Sequence, residues 1–183
     1  MKNYILLIFF TIALNINAQQ NNTAIKKNNL GIRINAPKGV QQYAFRIGEW
    51  ETTYKSLISR YNWKTGVGKH KVYMADNGLT FIEESLDKDG NIIIKTTYDY
   101  IEKTDSWNNN YLEVSTGKMI NYTAKLIDGK MVETVKHEKE QAIDDITYTV
   151  LQNNIFLYIS RRTYGNGFNL VTHVEIATKK QSK

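Results

Sequence analysis

The sequence predicts an all-β protein, an up-and-down antiparallel barrel of about ten strands with a short N-terminal helical turn. Apolar and polar residues alternate with a period of two over most of residues 50–177, as in strands that face a core on one side. Sequences typical of tight hairpin turns separate these segments. Gly48-Glu49-Trp50 opens the first strand, where the glycine permits a sharp bend and the tryptophan suits a buried barrel floor. An open sandwich is the alternative.

The first eighteen residues have the organisation of a secretory signal peptide, and they are excluded from the fold. Lys2 supplies the positive start, residues 4–14 form an apolar run, and Ala18 precedes the expected cleavage point. The run is too short for a permanent span, and no later segment approaches the roughly 20 apolar residues that one needs. An uncleaved N-terminal anchor is the alternative. The sequence therefore predicts an extracytoplasmic protein, in the periplasm or secreted.

A leader and a helical turn are expected before the first strand. Residues 19–40 are rich in Asn, Gln and Lys and contain the only proline, Pro37, which predicts a flexible leader. A short helical turn over residues 40–48 would close one end of the barrel. The barrel domain itself is predicted over residues 41–178, close to the size of about 150 residues that is typical of one domain.

The strand segments are rich in β-branched and aromatic residues, as strands prefer. Asp76-Asn77-Gly78 and Asp128-Gly129 are the clearest turns between them. A closed barrel of this size has room inside for a small ligand. The predicted strands are residues 51–59, 67–75, 79–86, 91–101, 106–114, 118–127, 130–138, 145–151, 154–163 and 169–177.

Composition excludes several classes of site. The formal net charge is +6, but the lysines are scattered, whereas a nucleic-acid interface needs a clustered basic stripe. There is no cysteine, so disulfides, thiol chemistry and cysteine metal sites are excluded. No motif of a nucleophile elbow, a zinc protease or a phosphate loop is present. The sequence assigns no catalytic residue and no metal ligand.

Short segments carry a resemblance to a known family. They are Phe45 to Glu51, Tyr98-Asp99-Tyr100 ahead of Trp107, and Arg161-Arg162-Thr163-Tyr164. The chain resembles, over about residues 43–178, the bacterial family of unknown function numbered 1579, whose members are lipocalin-like (calycin) domains. The resemblance implies a calycin barrel with no established activity.

Two other calycin groups are similar in outline. Fatty-acid-binding proteins hold a carboxylate with an Arg-x-Tyr on late strands, and Arg162-Thr163-Tyr164 matches that pattern in form. Nitrobindins share the Gly-x-Trp opening and use a histidine as the ligand of haem iron. These resemblances imply a carboxylate ligand in one case and haem in the other.

The histidines are the candidate haem or metal ligands. Strand alternation predicts that His70 and His137 point inward and that His173 faces solvent. No second histidine or cysteine follows at metal-site spacing, which argues against a metal site. A single inward histidine suffices for haem, so a haem-binding barrel is kept as an alternative function.

Arg161 is the candidate contact for an anionic group. The apolar face of residues 155–159 continues to Arg161, and an inward arginine needs an anionic partner because a buried unpaired charge is costly. The partner could be a ligand carboxylate or phosphate held by the guanidinium. It could equally be Glu83 or Glu133, or Arg161 could lie in water at the strand end.

Several tyrosines fall on the apolar face of their strands, where rings would give contact area and hydroxyls would orient a ligand. Ordinary core packing is the alternative. The sequence thus favours a secreted lipocalin-like barrel that binds a small amphipathic or anionic molecule in its interior. A packed barrel that acts as a partner-binding or envelope accessory module is the other hypothesis. The candidate ligand-binding residues are Tyr54, His70, Tyr98, Tyr122, Tyr148 and Arg161.

Overall fold

A computed structural model describes residues 25–181 of the chain, and residues 1–18, the predicted signal peptide, lie outside that range. The strands are β1 (Gly48–Ser59), β2 (Asn62–Met74), β3 (Thr80–Leu86), β4 (Ile92–Ile101), β5 (Ser106–Glu113), β6 (Lys118–Ile127), β7 (Lys130–His137), β8 (Ala142–Gln152), β9 (Ile155–Tyr164) and β10 (Asn169–Lys179).

All ten strands pair antiparallel and close into one barrel. Each strand pairs with its neighbours in sequence, and β1 with β10 completes the ring. The predicted all-β, up-and-down barrel is confirmed, and the open sandwich is wrong. Among residues 25–181 no helix is long and apolar enough to cross a membrane.

The start of β2 is the largest difference from the predicted strand boundaries. It begins at Asn62 rather than residue 67, in a segment where Gly66 and Gly68 weaken the strand pattern. Tyr54 pairs with Gly66 across β1 and β2, and a Cβ at Gly66 would collide with the Tyr54 ring. The glycine is therefore the residue that lets this ring lie flat against the inner wall.

A 3₁₀ helix over Lys38–Arg46, hereafter the plug helix, closes one end of the barrel, as the helical turn predicted there would. Trp50 is buried beside it and donates its indole N–H to the backbone carbonyl of Arg46 at 2.6 Å. Packing begins earlier than the predicted leader boundary at residue 40, because Ile32 is fully buried in the same core. Two shorter 3₁₀ turns, Glu102–Thr104 and Glu138–Glu140, join β4 to β5 and β7 to β8.

The plug end of the interior is packed with aromatic rings. Tyr43 on the plug helix meets Trp107 edge-on, with ring centroids 5.0 Å apart, and meets Phe81 at 6.1 Å. All three side chains are almost completely buried. Such edge-to-face contacts add to the stabilisation from burying large apolar surfaces, so this end is a core rather than a cavity.

The inward prediction for Arg161 is wrong. In β9 the inner face carries Phe156 and Ser160, both buried, followed by Arg162, whereas Arg161 is exposed. Near its start β9 is apolar on both faces. Phe156 and Tyr158 lie on the inner face, and Leu157 and Ile159 lie half-buried on the outer face. Alternation alone therefore could not decide which face of this strand points inward.

The solvent-facing prediction for His173 is also wrong. The pairing of β10 with β9 shifts register between Val171 and His173, so Thr172 is an extra, bulged residue. A bulge reverses the in–out alternation beyond it. His173 and Glu175 consequently lie on the inner wall, and Ile176 is exposed on the outside.

Candidate ligand-binding cleft

A buried ionic cluster lies just above the plug helix. Arg46 extends from the helix into the barrel with only 3% of its surface exposed. Its guanidinium is 2.5 Å from Glu83 on β3 and 3.7 Å from Glu133 on β7. Buried charges need such partners because each one has lost its hydration. These three side chains join the plug helix to opposite parts of the barrel wall.

Tyrosine hydroxyls complete this cluster. Tyr43 and Tyr148 donate to the same Glu133 oxygen at 2.8 and 3.0 Å, and Tyr98 donates to Glu83. The Arg46 guanidinium also lies over the rings of these tyrosines, 4.5–5.4 Å from their centroids. Tyr98 and Tyr148, both predicted ligand contacts, are therefore engaged within the cluster.

The pKa values of the two carboxylates in the cluster are shifted in opposite directions. Burial alone would raise the pKa of Glu83, but Arg46 and a hydrogen bond from His70 hold that pKa well below its usual range. Burial raises the pKa of Glu133 to about 7, against the opposing effect of Arg46 and of its hydrogen bond with Tyr43. Glu83 is thus the permanent counter-ion of Arg46, and Glu133 exchanges a proton near neutral pH.

The raised pKa of Glu133 predicts a pH-dependent stability. Its pKa is about 7 in the fold against an ordinary 4.5, so its contribution is full below pH 4.5 and is lost as the pH rises through 7. At about 1.4 kcal/mol per pKa unit, the loss is on the order of 3 kcal/mol. We expect Glu133→Gln to lack this loss in urea unfolding between pH 4.5 and 8.

The exposed Glu102→Gln is the matched control for that measurement, and it should keep the wild-type profile. The range stops at pH 4.5 because the lowered pKa of Glu83 acts in the opposite sense below it. Identical pH profiles for the wild type and Glu133→Gln would contradict the assignment.

Beyond the cluster, away from the plug helix, the interior opens into a cleft of about 1000 Å³. Outer-face residues such as Glu51 and Val67 also border it, so it is open to solvent. Polar and aromatic side chains from four neighbouring strands form its wall, and β4 adds Ile93 and Ile94. The polar and aromatic side chains on the inner face are Thr52, Tyr54, Ser56, His70, Ser85, His173 and Glu175.

Aromatic and hydroxyl groups hold His173 in the cleft. Its Nδ1 is 2.6 Å from the Ser56 hydroxyl oxygen. Its ring stacks on Tyr54, with an interplanar angle of 19°, and meets Tyr158 edge-on at 5.3 Å. The imidazole is therefore fixed on three sides, and its Nε2 remains directed towards Glu175 at 3.6 Å.

His70 lies on the opposite side of Glu175. Its Nδ1 is 3.0 Å from Glu83 and 3.2 Å from the Ser85 hydroxyl, and its Nε2 is 3.7 Å from Glu175. Burial alone would lower the pKa of His70, but the hydrogen bond and charge of Glu83 raise it. His70 therefore connects the buried cluster to the cleft.

Arg162, rather than Arg161, points into the barrel mouth. Its Nε and Nη2 donate to the two carboxylate oxygens of Asp144 at 2.6 and 2.9 Å, and its Nη1 donates to Glu140 at 2.7 Å. His137 Nε2 is 3.0 Å from the same Asp144. This bidentate pair uses the guanidinium fork internally, so the Arg-x-Tyr resemblance does not yield a free carboxylate receptor.

The structure divides the predicted site residues among several places. Tyr54 and His70 meet in the cleft, and Tyr122 borders a second, smaller opening beside His137. Sequence reasoning missed Ser56, His173 and Glu175. Only a signal for the bulge at Thr172 could have placed the last two, and the sequence carries none.

Catalytic and metal chemistry have little support in the cleft. Ser56 and His173 are at the distance of a nucleophile and its base, but the carboxylate that would orient the imidazole is 3.6 Å away, beyond hydrogen-bond distance. Within residues 25–181 no group of three or more His, Cys, Asp or Glu side chains is arranged to hold a metal ion.

Haem does not fit the residues of this cleft. A haem iron needs a free histidine nitrogen on which to bind. The Nδ1 atoms of His70 and His173 contact Glu83 and Ser56, and their Nε2 atoms face the Glu175 carboxylate at 3.7 and 3.6 Å, so an iron at either Nε2 would have to displace that carboxylate. No haem chemistry is therefore assigned.

Comparisons with known proteins identify the architecture. No protein-family model and no curated protein matches the sequence. The S-type phycobiliprotein lyase CPES of Guillardia theta is similar in structure, with a TM-score of 0.52 at 10% identity over 77% of this chain and 92% of the lyase. The chain has a lipocalin-like fold.

A second structural neighbour is Rv2717c from M. tuberculosis. It has a TM-score of 0.50 at 8% identity, over 79% of this chain and 99% of that protein. At such identities the likeness shows the fold alone. Membership of the family numbered 1579 stays a prediction.

Proposed function

We propose that the protein is an extracytoplasmic carrier or sensor that binds a small amphipathic molecule in the cleft at the open end of its barrel. The observation that carries this proposal is the division of the interior. The plug end is filled by Tyr43, Trp107 and the ion pair of Arg46, whereas the inner face at the other end borders a solvent-open cleft of about 1000 Å³ that extends onto the outer face. Small-molecule sites are typically concave and about 300–1,000 Å³ in volume.

The wall of the cleft suits an amphipathic molecule. The Tyr54 and His173 rings offer flat contact surface, and Ser56, Ser85 and Glu175 offer polar groups on the same wall. The fold is compatible with this use, since one structural neighbour is by name a phycobiliprotein lyase. The extracytoplasmic setting is proposed from residues 1–18 of the sequence.

A packed barrel that acts through its outer surface is the competing function. Its support is the plug end, where no space for a ligand remains beside Tyr43 and Phe81. It predicts that no small molecule remains with the protein through purification.

Native mass spectrometry of protein recovered from its own host tests both parts of the proposal. We expect a polypeptide that starts at Gln19 together with a bound adduct that denaturation releases. Retention of residues 1–18 would contradict the extracytoplasmic part. A bare polypeptide, combined with no thermal shift on adding a panel of amphipathic molecules, would favour the packed barrel.

A further inference from the structure

The Glu175 side chain is a largely buried carboxylate that faces the cleft without a strong partner. Only 12% of it is exposed. Its nearest basic nitrogens within residues 25–181 are Nε2 of His70 at 3.7 Å and Nε2 of His173 at 3.6 Å, both beyond hydrogen-bond distance. A buried carboxylate gains most when N–H or O–H donors approach its oxygens, and here those positions open onto the cleft.

The other charges of the interior are already paired. Arg46 is bound to Glu83 at 2.5 Å, and Arg162 is bound to Asp144 at 2.6 Å. No lysine or arginine among the described residues forms an ion pair with Glu175. The inner face of the cleft therefore presents a carboxylate that a cationic ligand group could neutralise, whereas Lys69 and Lys88 border the cleft from the outer face of β2 and from the β3–β4 turn.

An aromatic ring beside Glu175 strengthens the preference for a positive group. Tyr54 is the cross-strand partner of Glu175 in the β1–β10 pairing and borders the same cleft, with one face of its ring stacked on His173. The faces of tyrosine rings attract cations. A carboxylate beside such a ring matches an ammonium group attached to an apolar body.

We propose that Glu175 binds an alkylammonium group of the ligand, with Tyr54 and His173 against its adjoining carbon atoms. This inference rests on the proposed function and gives the ligand its chemical class, a cationic amphiphile. It also replaces the anionic ligand that an inward Arg161 would have implied, because that guanidinium lies on the outer surface.

Three probes of equal chain length test the charge preference: decylamine, decanol and decanoate, each below its micelle concentration. We expect calorimetric titration of the wild type to rank decylamine first. Glu175→Gln keeps the shape and removes the charge, and it should weaken decylamine binding by about ten- to a hundred-fold, as for loss of a charge-assisted hydrogen bond. Its affinity for decanol should stay within about threefold.

Two further variants keep the result interpretable. Glu102→Gln removes a carboxylate from an exposed 3₁₀ turn and should bind like the wild type. Glu175→Asp keeps the charge and should still prefer decylamine to decanol, which covers the case in which Glu175→Gln fails to fold by circular dichroism.

The outcomes separate the two proposals. Decanoate bound more tightly than decylamine, or equal decylamine affinity for the wild type and Glu175→Gln, would overturn the role of Glu175 and leave the carrier function standing. Binding of none of the three probes would count against the carrier function and the inference together.

Discussion

Arg46→Met is expected to lower the free energy of unfolding by about 3–5 kcal/mol, the cost of breaking a buried ion pair from one side. The substitution would leave Glu83 as a buried carboxylate without its 2.5 Å partner. It would also remove the positive charge that lies over three tyrosine rings. Urea unfolding at pH 7, followed by tryptophan fluorescence, measures the change.

The exposed Arg161→Met is the matched control, and it should change stability by no more than about 0.5 kcal/mol. The double variant Arg46→Met with Glu83→Gln should recover part of the loss, because it removes the stranded charge as well. A single-variant loss below about 1 kcal/mol would show that the cluster does not hold the plug helix in place.

Trp50→Ala should be nearly as damaging, with an expected loss of about 3–5 kcal/mol. Trp50 is 3% exposed, packs edge-on against Phe156 at 4.7 Å and caps the plug helix through Arg46 O. Thermal and urea unfolding both report the loss. A melting temperature unchanged within error would mean that the indole is not part of the barrel floor.

One further variant separates size from hydrogen bonding at this position, and a second serves as a control at another tryptophan. Trp50→Phe keeps most of the apolar contact and loses the N–H donor, so it should cost clearly less than alanine. Trp63→Ala removes a half-buried indole on β2 that lies near Lys55. Trp63→Ala should lower the free energy of unfolding clearly less than Trp50→Ala does, because little core packing depends on Trp63.

The fold was predictable because local signals agree with one another along the chain. Turns such as Asp128-Gly129 have the positive φ angles that tight hairpins need. The alternation of a strand also shows which of its faces points inward, provided that the other face is polar. Trp50 and Thr52 on β1 are examples, since both are buried between exposed neighbours. The predicted start of β2 is too late because Gly66, which makes room for the Tyr54 ring, and Gly68, which lies against Thr52, interrupt the strand pattern there.

The site was less predictable because it depends on irregularities and on distant partners. One extra residue at Thr172 moved His173 and Glu175 into the barrel. The plug helix contributed Arg46, whose partners Glu83 and Glu133 lie far along the chain. Tyr98 and Tyr148, two of the predicted ligand contacts, donate hydrogen bonds to the carboxylates of that cluster. Nothing in the local sequence of their strands indicates these partners.

The pairing of β1 with β10 has a topological consequence. It places Trp50 opposite Lys179, whereas the other nine pairings join consecutive strands. Loop-closure entropy grows with the length of chain enclosed, so this contact is the most expensive in the ring to form from an open chain. The same arrangement makes the barrel a candidate for circular permutation. A chain linked from β10 to the plug helix and begun at another hairpin would keep all ten strand pairings.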